Sequence, residues 1–244
     1  MSTYNDIGIN EELDWQRIRK LFLIGLFGGI LTLTGDMLLG WGVMDDSLTG
    51  TARILSAYTG LSDSRIFWSA FLGFIGIPLE GLCYFGIYRL IAPYSLKYAH
   101  IYRSGILGYL IFAACGVHVP CLACVFFYKY MNIYAPEQAL DLSIRFGEYF
   151  LLPGMIALEI FHIIHSIAHI AAFSKGLTPY PRWCWIFSLP VGMAAVFLLN
   201  FAGNSVLMNG ITAGWISIGH LWMFGGLLLT MNKAKTNIRS ATSG

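Results

Sequence analysis

Six apolar stretches, at residues 20–41, 66–92, 104–130, 147–173, 183–201 and 210–231, limit what this chain can fold into. Each is long enough to cross the roughly 30 Å hydrocarbon core of a bilayer as a helix rising ~1.5 Å per residue. Inside lipid the backbone must satisfy its own polar groups, which helices do within one segment. The expected fold is all-α: a polytopic membrane bundle of six transmembrane helices, one domain over residues 1–244. Composition agrees, because the chain is 57% hydrophobic and only 11% charged, whereas soluble domains carry about 25% charged residues.

The few charges orient the bundle. Eleven of the fifteen Lys and Arg residues fall in the N-terminal segment, the second and fourth loops and the tail. Only Arg53, Arg65, Lys129 and Arg145 belong to the opposite side. By the positive-inside rule both termini are expected in the cytoplasm. The first stretch follows Arg17, Arg19 and Lys20 and is too long for a signal-peptide core, so it is read as a retained helix. A bacterial cytoplasmic membrane fits this pattern. A net charge of +2 without a basic tract argues against nucleic acid as a partner. The longest external loop, 42–65, is read as a solvated connection, with a lid as the alternative.

Function should be sought where ionisable groups lie inside the apolar stretches, since such groups are costly in lipid and mark working sites. Five of the six histidines do so, as do Asp36, Glu80 and Glu159. Glu159, His162, His165 and His169 recur at spacings of three, three and four, which puts the three imidazoles within an arc of about 60°. Counted along the helices, Glu80 and His118 lie ~20 Å from the starts of their spans and His220 ~15 Å, near the depth of Glu159. Asp36, Asn200 and Asn204 lie closer to the outer surface. Pro78 and Pro120 each sit two residues from one of these groups and free a backbone carbonyl there, which is tolerated beside protein or a hydrated cavity.

These positions predict one cavity shared by all six helices. Glu80 and Glu159 are the candidate acid and base, His118, His162 and His220 orient and tune them, and Asp36, Asn200 and Asn204 contact substrate. A carboxyl kept protonated by an apolar site can deliver a proton while a better solvated one accepts it. That chemistry suits protonating or shifting a double bond in a lipid or isoprenoid-like substrate, with no cofactor. His165 and His169 are expected to bond neighbouring carbonyls or water. The alternative is a proton-coupled transporter or binder of a small amphipathic molecule, which at six spans requires a homodimer. A third reading places a divalent metal on Glu159, His162, Glu80 and His118.

Two resemblances bear on these readings. By size and paired intramembrane carboxylates the chain looks like sterol-isomerase or membrane terpene-cyclase proteins, which implies acid-base chemistry on an apolar substrate. Pro120-Cys121-Leu122-Ala123-Cys124 resembles the thiol pair of the quinone-linked disulfide-forming oxidoreductases of bacterial inner membranes, which implies thiol redox at Cys121 and Cys124. Those enzymes use a second external pair, whereas Cys83 and Cys184 map to the cytoplasmic side. Finally, Gly35-Asp36 and Gly203-Asn204 echo each other near the outer ends of the first and fifth stretches, as an internal repeat would.

Overall fold

The structure, a computed structural model, describes residues 13–242. It is helical without strands among the described residues. The helices are α1 (Trp15–Gly40), α2 (Gly50–Ser56), α3 (Asp63–Ile91), α4 (Leu96–Phe112), α5 (Val119–Tyr134), α6 (Pro136–Phe150), α7 (Leu152–Ser174), α8 (Leu189–Phe197), α9 (Val206–Ala213) and α10 (Trp215–Thr242). A π-helical segment, Ala113–His118, joins α4 to α5. Four units are long and apolar enough to cross a membrane: α1, α3, the continuous run Leu96–Tyr134, and α7. The α9–α10 pair makes a fifth if its 64° bend is counted within one span.

The fifth expected stretch, 183–201, is not one helix. It consists of a 3-10 turn at Arg182–Ile186, the nine-residue α8 and a second 3-10 turn at Leu198–Ala202. Pro190 at the start of α8 explains the first break, since proline donates no backbone hydrogen bond but is well placed in a first turn. Gly203, with φ +98°, ends the second turn in a conformation open to glycine. Gly35 by contrast lies inside α1, so the two echoing segments adopt different structures.

Local chemistry sets the helix ends. Asp14, Ser62, Ser95 and Ser205 each accept a hydrogen bond from the backbone N–H three residues on, an arrangement worth ~1 kcal/mol per cap. Arg65 donates to the carbonyls of Leu38 and Trp41 and so caps the C-terminus of α1 from the next helix. After α7 the chain turns at Gly176, φ +72°, with Leu177 N–H bonded to Ala172 O and Gly176 N–H to Phe173 O.

Side chains sort inside out. Phe27, Ile30, Phe67, Phe74, Ile111 and Ile163 stand more than half exposed, whereas Glu80, His162, His165, His169, His220 and Ser217 are buried. An outer surface of this kind is compatible with an integral membrane protein. The most extensive helix contact is between α1 and α3. A Cβ added to Gly28 would stand 2.9 Å from the Gly76 carbonyl oxygen, and one added to Gly76 would stand 2.7 Å from the Gly28 oxygen. These glycines bring the backbone carrying Glu80 against α1.

Candidate functional site

Glu80 is fully buried on α3. Its Oε2 accepts a 2.6 Å hydrogen bond from the hydroxyl of Tyr109 on α4. His220 Nδ1 on α10 lies 3.1 Å from the same oxygen but off the direction a hydrogen bond needs. On its other side His220 Nε2 is hydrogen-bonded to the hydroxyl of Tyr84, one helical turn beyond Glu80. Glu80 Oε1 has no hydrogen-bonding partner among the described residues. Leaving a buried acceptor unmatched costs ~1–3 kcal/mol, so this oxygen is an energetic reserve for whatever meets it.

Glu80 lines a cavity of about 230 Å³. Asp36, Thr32, Tyr109, His118, Cys121, His162 and Ser217 supply its other polar groups, and Ile77, Leu122, Leu158 and Trp215 much of its apolar wall. Asp36 Oδ2 accepts a 2.6 Å hydrogen bond from Ser217. His118 closes the π-helical segment, and its Nε2–H donates to Ser69 O at 3.0 Å, leaving Nδ1 without its proton. The ring fits only because residue 73 is glycine: a Cβ there would occupy the imidazole's place.

The π-helical segment has a cause in sequence. Pro120 has no N–H to return to the Gly116 carbonyl. That carbonyl faces Gly154 of α7, where any Cβ would collide with it. Widened turns of this type recur at functional sites because they re-aim side chains, and here the re-aimed residues are Val117 and His118, both in the cavity wall.

The structure thus brings together Glu80, Asp36, His118 and His162 around one cavity, with His220 behind Glu80. Other expected site residues lie elsewhere. Glu159 is outside the lining, its side chain 46% exposed, and reaches the site only as a 3.7 Å neighbour of His162 Nδ1. Its position on α7 turns it toward the outer surface. Asn204 bonds Met44 O and Asp46 and ties the 42–62 loop to the start of α9. The side chain of Asn200 lies outside the described residues. Among the described residues no three His, Cys, Asp or Glu side chains converge as a metal would require, and the set Glu159, His162, Glu80 and His118 is split by the outward turn of Glu159. The five cysteines are free. Cys121 faces the cavity, while Cys124 donates to Ser143 O of α6.

Three tyrosines complete the site without having been singled out in the sequence. Tyr84, Tyr102 and Tyr109 are almost wholly buried and alternate with imidazoles. Ring centroids are 4.9 Å apart for Tyr84 and His165, 5.8 Å for Tyr102 and His165, 6.2 Å for Tyr102 and His169, and 5.6 Å for Tyr109 and His162. All six ring nitrogens of His162, His165 and His169 lack hydrogen-bonding partners among the described residues. The carbonyls expected to hold His165 and His169 do not do so. The spacing of seven between Tyr102 and Tyr109 was the available signal, since it repeats one helix face.

The chain belongs to DUF6796, a family of unknown function. The family's sequence model matches residues 4–234, a range that contains every residue lining the cavity. No curated protein and no solved structure matches the chain.

Proposed function

We propose that this is an enzyme of a bacterial cytoplasmic membrane that performs acid-base chemistry on a lipid or isoprenoid-like molecule held beside Glu80. The chain crosses six times, the broken segment 182–202 counting as one crossing, with both termini in the cytoplasm. The observation that carries the reading is a fully buried carboxyl group of a cavity-lining residue, with one oxygen fixed by Tyr109 and the other without a partner among the described residues.

Glu80 and Asp36, rather than Glu80 and Glu159, form the acid-base pair, since both line the cavity. One carboxyl of the pair delivers its proton to one carbon of an alkene and the other, as carboxylate, removes a proton from the carbon in 1,3 relation to it, which moves the double bond by one position. His118 Nδ1 and His162 supply further acceptors. The test is mass spectrometry of organic extracts from purified protein. A small amphipathic molecule should accompany the wild type and Glu80→Gln, while only the wild type converts it to an isomer. Conversion by Glu80→Gln at the wild-type rate would sink the proposal.

A proton-coupled transporter is the second reading, favoured by the buried imidazoles at 162, 165 and 169 along α7. That function predicts substrate-dependent acidification of proteoliposomes, blocked by His165→Phe. The enzyme predicts none.

A further inference from the structure

A second cavity, of about 260 Å³, lies between α2, α8 and α9. Tyr58, Ala213 and Trp215 line both it and the carboxylate cavity. Residues shared in this way mean that one layer of side chains divides the two chambers. Joined, they would reach the ~300–1,000 Å³ typical of small-molecule sites.

That layer is built from parts able to move. Trp215 opens α10 immediately after the 64° break between α9 and α10. Tyr58 follows the short helix α2 in the 42–62 loop, which is held both by the packing of Leu55, Tyr58 and Leu61 and by polar side-chain ties. Asp46 pairs with Arg53 at 2.6 Å and accepts from Asn204 at 3.0 Å, while Asn209 donates to Gly42 O at 2.8 Å. Asp46 is itself 71% exposed, and such ties contribute little each, so the polar part of the fastening is weak. The outer chamber offers Asn209 and Thr212 among Met44, Ile54 and Val196, a lining suited to an amphipathic molecule.

We propose that the outer chamber is an antechamber, and that Tyr58, Ala213 and Trp215 form the gate through which a small amphipathic molecule reaches Glu80 from the α2 end of the bundle. The inference deepens the proposed function by naming its route of access, but the route stands on geometry whatever chemistry occurs inside.

Cys121 lines the inner cavity and not the antechamber, so its thiol reports passage. A variant keeping Cys121 alone (Cys83→Ala, Cys115→Ser, Cys124→Ala, Cys184→Ala) in lipid nanodiscs would be treated with a cationic methanethiosulfonate, which enters from water and not from lipid. Modification of Cys121 is expected, with its loss on adding Ala213→Trp at the gate or Thr212→Phe in the antechamber. Asn204→Ala should speed it by unfastening the loop. Two variants guard against one failing to fold, which thermal unfolding would reveal. An unchanged rate in a folded Ala213→Trp or Thr212→Phe protein overturns the route, as does a Cys121 that reacts only after denaturation. No substrate enters the assay, so its failure would leave the acid-base reading to its own test.

Discussion

Tyr109 on α4 donates a 2.6 Å hydrogen bond to Glu80 on α3, and both partners are buried. The bond joins α3 to α4 and fixes the orientation of the carboxyl group. Removing the donor strands a buried acceptor, so Tyr109→Phe should cost ~1–3 kcal/mol. In a Glu80→Leu background, where no acceptor remains, the same change should cost less. Unfolding of the four proteins in detergent measures the coupling, expected at ~0.5–3 kcal/mol. Additive effects would mean that the bond does not form.

The α1–α3 contact gives a second test. Gly76→Ala places a methyl 2.7 Å from the Gly28 oxygen, which forces the helices apart, and should destabilise by ~1–3 kcal/mol. Gly225→Ala on α10 meets nothing nearer than Leu26 at 3.8 Å, so it should be neutral or gain up to ~1 kcal/mol from helix propensity. Melting temperatures that move alike for the two would remove the close approach from the account.

Several elements were legible in the sequence and others were not, for separable reasons. Lipid-length apolar runs declare themselves through hydropathy, so α1, α3, α4–α5 and α7 lie close to the expected places. Hydropathy says nothing about continuity, which is why 183–201 read as one span although Pro190 and Gly203 divide it. Depth along a helix brought Glu80, His118 and His162 to one level. Azimuth decides which of them face inward, and Glu159, only three residues from His162, turns out toward the surface. The buried tyrosines were not legible because hydropathy reads aromatic residues near span ends as interfacial anchors, and burial of Tyr102 at such an end is decided by packing against α7.

Gly73 and His118 make a further pair whose dependence is testable. The imidazole lies where a side chain at 73 would be, so Gly73→Ala must displace it and break its bond to Ser69 O. Gly73→Ala and His118→Ala should therefore lower retention of the co-purified ligand to a similar extent. The double variant should be no worse than either single one, as expected of changes that remove one shared element. Full retention in Gly73→Ala would show that His118 is not needed where it stands.

Acid should loosen the α2 end through Asp46. Hydrogen bonds from Arg53 and Asn204 hold its carboxyl below the ordinary value of 3.8. A group whose folded-state pKa is depressed stabilises above its unfolded value, and that contribution fades as pH falls through the folded one. The fastening is therefore complete at neutral pH, begins to fade below about pH 3.8 and is lost as pH falls through the lower folded-state value. Asp45 is lowered as well, by its bonds from Ser47, so acid alone does not single out one residue. Asp46→Asn does, because it removes the charge that Arg53 and Asn204 recognise while leaving Asp45 in place. Hydrogen exchange of the 42–62 amides, corrected for the intrinsic pH dependence, should quicken in the wild type between pH 6 and pH 3. In Asp46→Asn it should already be fast at pH 6 and change less. A wild type whose protection is the same at both pH values would show that the loop is held by packing around Leu55 and Tyr58 and not by the Asp46 cluster.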